Sequence, residues 1–172
     1  MAQAAAVALL AALLAFAPGC GYRLRGTGSS LPSRIRTISI PMFRNQTTRF
    51  ELDVKLTRAV INELVARGKV ALGADPAAAD AVLEGEITGF IANPIGFTGG
   101  NQADRYNITV TAKVTLKERS TAEPLFTNPS FVYQQEYDVP PGSSFESVQT
   151  EAIDKIAEKF ARSLVVAILE GF

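Results

Sequence analysis

The stretch RYNITVTAKVTLK, Arg105 to Lys117, alternates without a fault. Tyr106, Ile108, Val110, Ala112, Val114 and Leu116 fall on one side of an extended chain, and Arg105, Asn107, Thr109, Thr111, Lys113, Thr115 and Lys117 fall on the other. A period of two over this length belongs to a strand with one buried and one wet face. The chain is therefore expected to build a sheet covered on one side, with the opposite side left hydrophilic.

The flanking segments supply the rest of such a layer. RTISIPMF, Arg36 to Phe43, sets Ile38, Ile40 and Met42 on one side of a first strand, with Ile35 just before it. Pro41 is tolerated there only where its missing N–H faces an edge or a bulge. Thr48-Arg49-Phe50-Glu51 matches the capping box S/T-x-x-E and predicts a helix over about 49 to 67. Leu52, Leu56, Ala59, Val60 and Leu64 form its apolar face, interrupted by Glu63, and Gly68 is its C-terminal cap.

A short strand within Lys69–Gly73 follows, then a longer one over Ala81 to Ala92 in which Leu83, Gly85, Ile87, Gly89 and Ile91 share a face. Glycines at such positions point to a close approach by another group. The segment Asn93 to Asp104 reads as a long loop carrying the apolar Ile95 and Phe97. A last strand over about Ser130 to Val139 turns Phe131, Tyr133 and Tyr137 one way. Ser143-Ser144-Phe145-Glu146 is a second capping box, ahead of a stripe of Val148, Ala152, Ile153, Ile156, Phe160, Leu164, Ala167 and Ile168 that runs to about Leu169.

A helical crossover joins the first strand to the one after it, so those two are expected parallel, while the later strands pair as antiparallel hairpins. The fold class is α+β: a mixed parallel/antiparallel sheet of about four to five strands with two helices packed on one face. The other face would carry Glu84, Glu86, Thr109, Thr111, Lys113, Thr115, Gln134 and Glu136.

Composition narrows the chemistry. There is no histidine and one cysteine, Cys20, so imidazole catalysis, the usual zinc sites and an intramolecular disulfide are excluded. No GxSxG, Walker A, HExxH or CxxC motif occurs, and no enzyme activity, cofactor, catalytic residue or metal ligand is expected. Lys plus Arg equals Asp plus Glu at 17 each, which gives no global field toward nucleic acid.

The N-terminus has its own logic. Ala4 to Ala17 is an uncharged apolar run that ends at Pro18-Gly19, too short to span a bilayer and of the length of a signal-peptide core. It is followed by Cys20 behind small residues, an arrangement that resembles a bacterial lipobox. Residues 1–19 are thus expected to be a lipoprotein signal peptide, 20–34 the lipidated N-terminus and a Gly/Ser/Arg-rich tether, and 35–172 a single domain. Several acyl chains at about 0.8 kcal/mol per buried methylene anchor stably where one does not.

Taken together, GCGYRLRG, SLPSRIRTISIPMFRNQTTRFELDVKLTRAVINELVARG and ADAVLEGEITGF resemble the lipopolysaccharide-assembly lipoprotein family LptE, in order and spacing over nearly the whole chain after Cys20. The resemblance implies an outer-membrane lipoprotein on the periplasmic side, lipidated at Cys20. It also implies a one-to-one complex with the β-barrel LptD, whose lumen the domain plugs, and direct contact with lipopolysaccharide. Phosphorylated lipid A would need cations, and Arg105, Lys113, Lys117 and Arg119 lie on or just past one strand. The strand-helix-strand order and the AD-x-x-L-E-G-E strand also resemble other envelope lipoproteins, LpoB-like synthase activators and CsgG-like secretion components.

Overall fold

The alternation of Arg105–Lys117 is realised in full in a computed structural model, which describes residues 31–100, 102–121 and 123–170. In chain order the elements are β1 (Thr37–Ser39), β2 (Arg44–Asn45), α1 (Leu52–Arg67), β3 (Ala71–Leu72), β4 (Ala81–Phe97), β5 (Ala103–Glu118), β6 (Pro124–Asp138) and α2 (Phe145–Glu170). One mixed sheet runs β3-β1-β4-β5-β6, with β2 attached to β4. β1 is parallel to both β3 and β4, whereas β4, β5 and β6 form an antiparallel meander. This is the expected α+β architecture, with both helices on the sheet.

Ile108, Val110, Ala112, Val114 and Leu116 are fully buried on the inner face of β5. Leu52, Leu56, Val60 and Leu64 of α1 and Ile156, Phe160 and Leu164 of α2 complete the same core. The Phe160 ring meets Phe131 of β6 edge-on at 5.3 Å between centroids, and Tyr106 of β5 stacks on Phe145 at 4.4 Å.

Four expectations shift. Pro41 ends the β1 ladder, so the chain turns, Met42 is exposed and Phe43 is buried in its place. In β4 the register slips between Ile87 and Gly89, leaving Thr88 as an extra residue. A bulge of one residue inverts the side-chain phase. Beyond it Phe90 and Ala92 face the core, and Ile91, expected inside, is 54% exposed. The expected long loop is largely strand, with Phe97 paired to Ala103 and the connection reduced to Thr98–Gln102. β6 begins at Pro124 rather than near Ser130, and a register break around Pro129 interrupts its alternation.

Neither capping box forms as read. Asn45 accepts the Thr47 N–H and hydroxyl at 2.9 and 2.7 Å, Thr47 accepts the Arg49 N–H, and Asn45 Nδ2 donates to the Arg49 carbonyl at 2.7 Å. This turn uses up the segment meant for the cap. The helix starts only at Leu52, after Glu51 in the left-handed region at φ 59° with no side-chain cap. Ahead of α2 the reciprocal pair is Ser144 and Ser147, not Ser143 and Glu146: Ser147 N–H donates to Ser144 Oγ and Ser144 N–H to Ser147 Oγ. Gly68 caps α1 in the left-handed region as expected.

The glycine reading is upheld at Gly85. The Phe43 ring lies directly over its Cα, and the Phe43 N–H donates to the buried Thr57 hydroxyl at 3.0 Å, tying the connection after β1 to α1. No helix among the described residues is long and apolar enough to cross a membrane.

Candidate functional site

The outer face of the sheet divides into two zones. Toward the hairpin that joins β4 to β5 it is mixed: Ile91 lies opposite Thr109, Thr111 opposite Val132, and Asn93 opposite Asn107, which in turn faces Glu136, with the Arg105–Asp138 pair beyond. Gln134 Nε2 donates to Thr109 Oγ1 at 3.2 Å across β5 and β6. Toward the start of β4 the face becomes ionic.

The ionic zone has a cavity of about 520 Å³ lined by Pro41, Met42, Arg44, Glu84, Gly85, Glu86, Lys113, Thr115 and Lys117. Strand register builds it. Glu86 stands between Arg44 of β2 and Lys113 of β5, and Glu84 is opposite Thr115. Lys117 Nζ donates to Glu84 Oε2 at 2.7 Å, and the Gln46 side-chain amide donates to Glu86. Arg44 and Lys113 form no ion pair or side-chain hydrogen bond among the described residues. Two exposed cations thus flank one carboxylate in an open cleft with Met42 at its lip, an arrangement suited to an anionic oxygen group.

Of the cations singled out in the sequence, the fold brings Lys113 and Lys117 together. Arg105 sits eight residues from Lys113 on the same strand, roughly 26 Å away, and is paired with Asp138 at 2.6 Å. That hydrogen bond raises the guanidinium pKa. Arg119 turns back to the chain, its Nε donating to the Ala79 carbonyl at 2.8 Å. Cys20 lies outside the described residues.

Arg44 was not foreseen, because it follows an apolar strand and reaches the cleft only through the two-residue pairing of β2 with β4. The one sequence signal for it is the basic residue directly after Phe43. No cluster of three or more Cys, His, Asp or Glu side chains able to hold a metal occurs among the described residues.

Below the cleft, the start of the sheet is fastened by two carboxylates. Asp80 Oδ2 accepts the Arg36 and Thr37 N–H groups, each at 2.9 Å, and the Thr37 hydroxyl at 3.0 Å. These bonds hold its carboxyl below the usual carboxylate range. Glu118 is likewise depressed, chiefly by its hydrogen bonds to Arg34.

Three solved structures share this fold at low identity. The PelC dodecamer from Paraburkholderia phytofirmans is 16% identical with a TM-score of 0.52, over 84% of this chain and 96% of that one. The hypothetical protein CT253 from Chlamydia trachomatis is 11% identical at 0.52, over 80% and 96%. Protein XCC0632 from Xanthomonas campestris is 11% identical at 0.52, over 79% and 85%. No curated protein matches the chain. The family model LptE, described as lipopolysaccharide-assembly, matches residues 35–168, which is most of the chain and all of the sheet and its helices up to the last turn of α2. The chain belongs to the LptE family of lipopolysaccharide-assembly proteins.

Proposed function

We propose that the protein is an outer-membrane lipoprotein, anchored through acylated Cys20 on the periplasmic side, that plugs an LptD-type β-barrel and helps lipopolysaccharide reach the outer leaflet. The observation that carries this reading is the uncovered outer face of the sheet, polar over most of its length on a family fold, with Ile91 and Val132 exposed on it. Barrel interiors are polar, and a wet sheet face suits them. The cleft of Arg44, Lys113 and Lys117 supports a second part of the reading, contact with lipid A phosphates. Arg105 and Arg119 contribute less, since each is occupied by Asp138 or the Ala79 carbonyl. The role is binding without turnover.

Detergent extraction of the full chain followed by affinity purification tests the partner. A large barrel retained in one-to-one ratio is expected; stimulation of a peptidoglycan synthase, or a homo-oligomeric pore, would overturn the reading in favour of the other envelope families. For the ligand, Arg44→Ala/Lys113→Ala/Lys117→Ala is expected to weaken lipopolysaccharide binding with an unchanged Tm. Unchanged binding would remove the cleft from the mechanism.

A further inference from the structure

Two cations and one carboxylate meet on three neighbouring strands. Register sets Arg44 of β2 and Lys113 of β5 on either side of Glu86 of β4, each one strand spacing away, about 4.8 Å at the backbone. The Gln46 amide donates to Glu86 Oε1 and holds the carboxylate between them, while Oε2 has no hydrogen bond or ion pair among the described residues. The next carboxylate along the strand is already matched, since Glu84 accepts Lys117 Nζ. Arg44 and Lys113 are exposed and have longer side chains than glutamate, so their charged groups can stand outside the carboxylate they flank. The cleft is layered, with a negative oxygen at its floor and two positive groups at its rim.

A simple phosphate suits this order of charge poorly. Bridging Arg44 and Lys113, it would stand above Glu86 and be repelled by it, unless the ligand brought its own positive charge to that oxygen. A divalent cation is the poorer candidate for that charge. It would find one carboxylate not already matched by a lysine and no cluster of three metal-holding side chains among the described residues, and both flanking cations would repel its double charge. A primary ammonium carries a single charge and donates hydrogen bonds to the one open oxygen.

We infer that the cleft selects a zwitterionic phosphate ester with a terminal amine, the ammonium seated on Glu86 and the phosphate held at the rim by Arg44 and Lys113. This rests on the contact with lipid A phosphates proposed above. Two sources share the chemistry: an amine-bearing phosphate on lipopolysaccharide, and the headgroup of phosphatidylethanolamine. Met42, 58% exposed at the lip, offers apolar contact to the part of either lipid beyond its phosphate.

The test titrates the full chain in detergent with glycerophosphoethanolamine and glycerophosphoglycerol, two phosphodiesters of which only the first carries an amine. The first is expected to bind about three- to fivefold more tightly, the scale of an exposed ion pair. Glu86→Gln should abolish that preference at an unchanged Tm, chiefly by strengthening glycerophosphoglycerol. Glu84→Gln frees Lys117 and should tighten both probes alike, keeping the preference. Equal binding by the parent, a preference that survives Glu86→Gln, or one that Glu84→Gln abolishes as completely overturns the ammonium seat while the phosphate contact stands. Binding that requires magnesium and is lost with a chelator overturns it in favour of a bridging metal. Absence of binding by both probes, or binding indifferent to Arg44→Ala/Lys113→Ala, overturns the phosphate contact and the selectivity together. Two further comparisons identify the source: lipopolysaccharide with and without phosphoethanolamine on its lipid A, and vesicles of phosphatidylethanolamine with phosphatidylglycerol against phosphatidylglycerol alone. The amine-bearing form is expected to be retained preferentially in at least one of them, and Glu86→Gln to remove that preference; no preference in either overturns the inference.

Discussion

The ring of Phe43 occupies the space where a side chain on Gly85 would be. A Cβ built on Gly85 falls 2.6 Å from Cγ and Cδ1 of that ring, and Phe43 is itself buried, with its N–H committed to Thr57. Neither side can yield. Gly85→Ala is expected to destabilise by about 1–3 kcal/mol through overpacking, read as a fall in Tm of several degrees. Phe43→Leu should recover part of the loss in the double variant, a non-additivity that independent sites would not give.

Thr57 is buried on α1 and accepts the Phe43 N–H. Thr57→Val keeps the shape and removes the acceptor, leaving a buried donor unpaired at about 1–3 kcal/mol. Thr57→Ser keeps the hydroxyl and should lose much less. Urea unfolding of the two variants separates hydrogen bonding from packing; a loss confined to Thr57→Ser, with Thr57→Val as stable as the parent, would mean the methyl group matters and the bond does not.

Glu51 pays for its left-handed backbone with no compensating cap. That conformation costs a side-chain-bearing residue about 1–2 kcal/mol, while glycine adds about 0.5–1 kcal/mol of unfolded-state entropy. Glu51→Gly is therefore expected to stabilise by up to about 1 kcal/mol, and Glu51→Val to destabilise, in thermal melts at equal concentration.

Asp80 and Glu118 both titrate below their ordinary values of 3.8 and 4.5 in the folded protein, Asp80 through the backbone N–H groups it accepts and Glu118 through Arg34. Depressed folded values mean that the unfolded chain binds more protons in acid. The stabilisation is present above the ordinary values and is lost as pH falls through the lowered ones. Urea midpoints measured from neutrality down through the carboxylate range should therefore fall, and Asp80→Asn should flatten that slope. A slope unchanged by Asp80→Asn would show that the β1 staple does not depend on its charge.

The sequence exposed those parts of the fold in which local pattern and tertiary packing agree. The period of two in β5 survives because every inward residue, Ile108 to Leu116, meets the helical layer. The Gly85 approach was visible because a glycine inside a strand needs a reason. Legibility failed where one residue changed the count or a competing local bond won. Thr88 inverts β4 without an identifying residue type of its own, and Asn45 diverts the Thr48–Glu51 cap into a side-chain turn. In the site, Lys113 and Lys117 were readable because they share the wet side of one strand. Arg44 and the Arg34–Glu118 pair depend on pairings 42 and 84 residues apart, which no local window contains.

The extra residue in β4 makes position 88 tolerant in two senses. Its side chain is exposed and its hydroxyl donates to the Thr111 carbonyl at 3.3 Å, so exchange for another residue should be borne easily. Removing the position altogether would leave Ile87, Gly89 and Phe90 opposite Ala112, Thr111 and Val110 in an unbroken ladder, with Phe90 and Ala92 still turned to the core. Deletion tolerance along this strand is therefore greatest at the bulge, where the ladder holds a spare residue. The odd spacing of Ile87 and Phe90, both turned inward, is the mark that the bulge leaves in the sequence.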